Sequence, residues 1–206
     1  MKTGTDANVN EVGQNVVKGE SLGQGIVRTT VEELLALPRA SDMPPVHDAF
    51  TKNSLYQNHR SAPTETTIWE LTATIVEMKL EQDGDYHLVL QGASEGATMI
   101  GEIPNPDPAF VGNAAWLAEI KNARDAMDLK LGAPLEPVGF KREDMAPPTQ
   151  ERTARAPKKG AADEGMKQVN ARATITGVGF FDSSHGQTGV APTAIEIHPI
   201  FSIEFL

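Results

Sequence analysis

The stretch WELTATIVEMKLEQDGDYHLVLQGASEGATMIGEI, Trp69 to Ile103, decides the fold. Its first part alternates, with Leu71, Ala73 and Ile75 on one face. The phase then slips, and Val76, Met78 and Leu80 become the apolar set. A one-residue slip inverts every later side chain unless an extra residue bulges from the ladder. The spacing therefore predicts a long bulged strand over 69–81, bent enough to serve both sides of a barrel. Asp83-Gly84-Asp85 is a turn, and Tyr86 to Gly92 is a second strand. Residues 93–96 make a hairpin loop, and Ala97 to Ile103 is a third strand. Asn-Pro-Asp-Pro, residues 105–108, stops it, because proline cannot donate to a ladder.

Working outward, Asn113 is a plausible helix cap. Trp116, Ile120, Ala123, Met127 and Leu131 then recur at helical spacing, and Gly132 ends the run. Residues 133–168 read as a long loop. A fourth strand over 169–181 has Val169, Ala171, Ala173 and Ile175 in phase, and the last strand covers 194–205. Toward the N-terminus, Thr30 and Glu33 have capping-box spacing for a short helix over 31–37, ended by Pro38. Residues 1–28 read as disordered or loosely attached, and 38–66 as a Pro-rich polar arm pinned by Leu34, Leu35 and Phe50. The expected organisation is an N-terminal arm, 1–66, followed by one domain, 67–206. Its order of strand, strand, strand, helix, strand, strand is that of a mainly β, five-stranded OB-like Greek-key barrel. Another small α+β domain with the same order is the alternative.

Composition narrows the function classes. The chain has 206 residues, 39% hydrophobic and 5% aromatic, which suits one modest core with polar extensions. No apolar run approaches the roughly 18 residues that cross a bilayer. The N-terminus lacks the apolar section of a secretory signal, so the expectation is a cytoplasmic protein, or an exported one whose signal has been removed. The absence of cysteine excludes disulfides, thiolate metal sites and cysteine nucleophiles. A net charge of −10 opposes non-specific affinity for a polyanion, but not a metal-bridged contact with one. Residues 141–168 run the other way, with seven Lys or Arg against five Asp or Glu.

The polar residues of the strands carry the chemistry. If Tyr86, Leu88 and Leu90 face the core, Asp85 and His87 face outward. A symmetric hairpin sets His87 opposite Glu102, within about 4.5–5.5 Å at Cβ. The last strand repeats acid-x-His as Glu196-Ile-His198. Asp85, His87, Glu102, Glu196 and His198 thus form a candidate metal cluster on the outer face of strands two, three and five. Asp182 and His185 are loop residues that close one end. Two histidines and several carboxylates suit a divalent ion such as Ca²⁺, Mn²⁺ or Zn²⁺. A His–Glu pair also suits general base catalysis, with His87, Glu102 and His198 as the candidate groups. Period-2 alternation on an ordinary solvated face produces the same pattern.

Taken together, YHLVL, EIP, GVGFFD and HGQTGVAPxxIEIHP resemble an uncharacterised bacterial family of small OB-like domains. The resemblance covers about residues 65–206, with 141–168 as an addition. Asp-Gly-Asp opening a strand, with a carboxylate before a proline at the end of the next, is also similar to the thermonuclease family, OB-fold Ca²⁺-dependent phosphodiesterases. That likeness implies metal carboxylates at Asp85 and Glu102. The chain departs from it in two places. The third strand carries no Arg or Lys for the family's catalytic arginine, and Asn105 stands where the family has a glutamate.

Three functions are compatible with these residues. One is a binding or interaction module with a metal on its outer face. Another is a metal-dependent phosphodiesterase at the same face, and the third is a structural component of a larger assembly. Whether the protein is an enzyme stays open. The partners implied are a nucleic acid or other anionic ligand, reached through the metal or the 141–168 loop, or another protein.

Overall fold

The computed structural model describes residues 25–39, 60–81, 83–107, 116–132, 165–184 and 186–206. In chain order its elements are β1 (Ile26–Thr29), α1 (Val31–Leu35), a 3-10 turn (Thr64–Thr66), β2 (Ile68–Leu80), β3 (Tyr86–Gln91), β4 (Thr98–Ile103), α2 (Leu117–Leu131), β5 (Lys167–Phe181) and β6 (Ile195–Phe205). The fold is mainly β with one principal helix, α2. All six strands join one sheet in the order β1-β2-β3-β4-β6-β5, and β2 also pairs with β5. Five of them therefore form a ring, with β1 added parallel to the start of β2. Within the ring β4 and β6 are parallel and the remaining pairs antiparallel.

The phase slip in β2 has a structural cause. The register shifts between Ile75 and Glu77 against both β3 and β5. Val76 is the extra residue, so it leaves the apolar set that the sequence assigns to it. Ile75 and Met78 are both fully buried on the two sides of the bulge. The core lies inside the ring, where Leu71, Ile75, Tyr86, Leu88, Leu90, Met99, Ile103, Ile175, Ile195 and Ile197 pack together. Each fully buried aliphatic side chain contributes roughly 1.5–3 kcal/mol. Helix α2 adds Ile120, Ala123 and Met127. Trp116 precedes it and stacks on Phe201 at 5.2 Å. Gly132 ends it in the left-handed conformation, φ 79°, which a Cβ would strain.

The N-terminal segment differs from the expectation. Residues 26–28, read as loosely attached, form β1 together with Thr29. Helix α1 has the full capping box, with Glu33 N donating to Thr30 Oγ1 at 3.1 Å and Thr30 N donating to Glu33 Oε2 at 3.0 Å. Its Val31 and Leu34 are buried. Arg60 and Glu65, from the polar arm, are buried as well. The remainder of the arm with Phe50, the Asn113 cap, residues 133–164 of the long loop, and His185 lie outside the described residues. No helix among the described residues is long and apolar enough to cross a membrane.

Candidate metal centre

Alternation on β3, β4 and β6 sets the site. Tyr86, Leu88 and Leu90 turn into the ring core, which puts His87 on the other face of β3. The β3–β4 register pairs His87 with Glu102 directly. The β4–β6 register pairs Ile100 with Glu196 and Gly101 with Ile197, which brings His198 alongside Glu102. His198 Nδ1 lies 2.6 Å from Glu102 Oε2 and 3.6 Å from Glu196 Oε1. His87 Nδ1 lies 3.7 Å from Glu102 Oε1 and 3.6 Å from Glu81 Oε1. Acids and imidazoles thus alternate across four neighbouring strands or strand ends: Glu81, His87, Glu102, His198, Glu196.

Asp85 completes the group from the turn before β3. One ligand atom each from Asp85, Glu102 and His198 fall within 4.8 Å of one another. The turn is held from two sides. Asn105 N donates to Asp85 Oδ1 at 2.7 Å, and Asn105 Nδ2 donates to the Asp83 carbonyl at 3.1 Å. Arg124, from α2, donates to the carbonyls of Gly84, Ile103 and Pro104 and lies 3.6 Å over the Tyr86 ring. Tyr86 Oη donates in turn to Asp128. Burial pushes the Arg124 guanidinium below its ordinary value, against the pull of Tyr86, Asp85 and Asp128.

This outer face is not solvated. His87, Glu102, Glu196 and His198 are 1%, 8%, 2% and 0% exposed. Two connecting segments cover it. Residues 60–66 lie against β5 and β6, where Arg60 donates to the carbonyls of Gly179 and His198. From the connection between β5 and β6, Thr188 and Gly189 lie over β3. His87 Nε2 is 3.1 Å from the Thr188 carbonyl, and a Cβ on Gly189 would sit 2.7 Å from Val89 Cγ1. Arg39 fastens both ends of that connection through the Asp182 and Thr193 carbonyls. The ordinary solvated face is therefore excluded for these residues. Period-2 alternation tells the two sides of a strand apart, but not whether the outer side is wet.

The structure brings Asp85, Glu102 and His198 within reach of one ion, with Glu196 and His87 in contact with members of that group. Asp182 is buried elsewhere, with Oδ2 3.5 Å from Gln187 Nε2. Glu81 and Arg124 are the contributors that the pattern of acid-x-His pairs does not reveal. Glu81 sits beyond the end of β2, where its proximity to His87 depends on the hairpin closing. Arg124 shares helical periodicity with residues that merely pack.

An imidazole nitrogen and carboxylate oxygens in a covered site suit a borderline transition ion better than Ca²⁺, which takes six to eight oxygens. Compared with known proteins, the chain matches no family model, no curated protein and no solved structure.

Proposed function

We propose that the protein is an OB-like binding module whose covered acid–histidine cluster holds a divalent transition-metal ion, with Asp85, Glu102 and His198 as ligands. The observation that carries this reading is the close grouping of those three side chains, Glu102 and His198 buried and Asp85 half-buried. Buried carboxylates without a compensating cation are costly, and a metal or proton is the usual remedy. His198 Nδ1 and Glu102 Oε2, 2.6 Å apart, form an ion pair when the imidazole is protonated, and an entering cation displaces that proton.

The barrel reading draws support from the ring order β2-β3-β4-β6-β5, the bulge in β2, and the single principal helix between β4 and β5. The likeness to thermonucleases points to Asp85 and Glu102 as the metal carboxylates. Its phosphodiesterase activity is the weaker reading for this chain. Asn105 is spent on the turn, and the Arg124 guanidinium on backbone carbonyls and Tyr86.

Calorimetry with Zn²⁺, Mn²⁺ and Ca²⁺ tests the module. Affinity is expected to fall from Zn²⁺ to Mn²⁺ to Ca²⁺, and to drop by about 100-fold or more for Zn²⁺ in Asp85→Ala, a ligand loss at least as severe as an outer-shell change. Absence of binding to any of the three ions overturns the reading. Cleavage of single- or double-stranded nucleic acid by the metal-loaded protein, lost in Glu102→Ala, would establish the phosphodiesterase instead.

A further inference from the structure

We infer that a second divalent cation binds beside the first, between His87, Glu81 and Glu102, so that Glu102 bridges a dinuclear centre. The inference rests on the metal reading above and adds a site to it. His87 Nε2 meets the Thr188 carbonyl at 3.1 Å. A carbonyl only accepts, so Nε2 carries the hydrogen. In the neutral ring Nδ1 then holds the lone pair. That nitrogen is buried and makes no hydrogen bond. It points instead toward Glu81 Oε1 at 3.6 Å and Glu102 Oε1 at 3.7 Å.

A hydrogen bond from Nδ1 does not span these separations, since charge-assisted N–H···O bonds are about 2.7–2.9 Å long. A lone pair facing two carboxylates is repulsive, and a cation between them removes the repulsion. Ligands about 2.0–2.2 Å from a tetrahedral zinc lie ~3.4 Å from each other, close to both gaps. Glu102 offers its two oxygens separately, Oε1 toward His87 and Oε2 toward His198. The Thr188 carbonyl is the kind of outer-shell acceptor that fixes the tautomer of a ligating histidine. Glu81 is 32% exposed and free to swing inward, although its Oε1 is also 3.1 Å from Lys79 Nζ. That pair is half-buried, so an ion entering here takes the place of the Lys79 ammonium as the charge that faces Glu81. A carboxylate-bridged pair of ions binds water or the oxygens of a phosphate across both metals.

Equilibrium dialysis with metal analysis tests this in the full chain, with circular dichroism confirming the fold of each variant. Wild type is expected to hold about two Zn²⁺ or Mn²⁺ ions, and Glu81→Gln and His87→Gln about one, as for a two-metal site reduced to one. Because Glu81 is partly exposed, its variant does not depend on a core substitution being tolerated. In the Mn²⁺-loaded wild type, electron paramagnetic resonance is expected to show a coupled pair, and in Glu81→Gln an isolated ion. A wild type that holds one ion, retained unchanged in Glu81→Gln, overturns the second site and leaves the first standing. A wild type that holds none removes both.

Discussion

Glu65→Ala is expected to cost about 3–5 kcal/mol of folding stability, the range for breaking a buried charge network. Glu65 is 1% exposed and accepts two backbone N–H groups, Ser61 to Oε2 and Phe181 to Oε1, both at 2.6 Å. Hydrogen bonds to a charged group are worth about 1.5–3 kcal/mol each, and alanine leaves both donors buried without an acceptor. The substitution also removes the charge that faces the Arg60 and Arg39 guanidiniums. Urea denaturation reads the change as a lowered midpoint. A loss under about 1 kcal/mol, the level of an ordinary surface change, would show that residues 60–66 are not an integral cover of β5 and β6.

The same residue sets a pH dependence. Burial raises the Glu65 carboxyl above the ordinary glutamate value, outweighing the lowering by the Ser61 and Phe181 bonds and by Arg60 and Arg39. A group raised in the folded state binds more protons folded than unfolded, so its contribution to stability falls as pH rises. That contribution is fully present below the ordinary glutamate value and is lost through the raised one. The stability difference between wild type and Glu65→Gln is therefore expected to be largest in acid and to shrink as pH climbs through that window. A difference that grows with pH would contradict the assignment.

Gly177→Ala is expected to cost about 3 kcal/mol, at the upper end for overpacking. Gly177 lies where the β5–β6 register shifts. A Cβ there would meet Ile197 Cγ2, the Pro199 carbonyl at 2.5 Å and Ile200 Cα at 3.0 Å. Two of these are backbone atoms, which cannot rotate away. Gly101→Ala is the informative contrast. Its Cβ would meet the side-chain ends Ile200 Cδ1 and Leu90 Cδ1, at 2.8 and 3.0 Å. Such ends can shift, so a cost of about 1 kcal/mol is expected there. Thermal melts of the two variants should rank accordingly, and equal costs would mean that the two strands do not approach as closely as described.

The ring's element order was legible because it rests on local signals. The Val76 slip, the Asp83–Asp85 turn and the Trp116–Leu131 spacing are each visible within a few residues. The facing of His87 and Glu102 was legible for the same reason, since a short hairpin fixes its own register. The cover of the site was not. Glu65 meets Phe181 across 116 positions, and Arg39 meets Thr193 across 154. Nothing local in PTETT or LPRA announces such partners. β1 was missed because Ile-Val-Arg-Thr is too short to establish a period beside a polar, glycine-rich segment. Glu81 stayed hidden because a residue past a strand end has no face until the hairpin closes.

The most direct measurement is a crystal of the Zn²⁺-loaded protein with anomalous diffraction at the zinc edge. An anomalous peak is expected about 2.0–2.2 Å from Asp85, Glu102 Oε2 and His198 Nδ1. A fully occupied crystal with no peak at those three side chains, or with zinc only at surface residues, would contradict the metal centre.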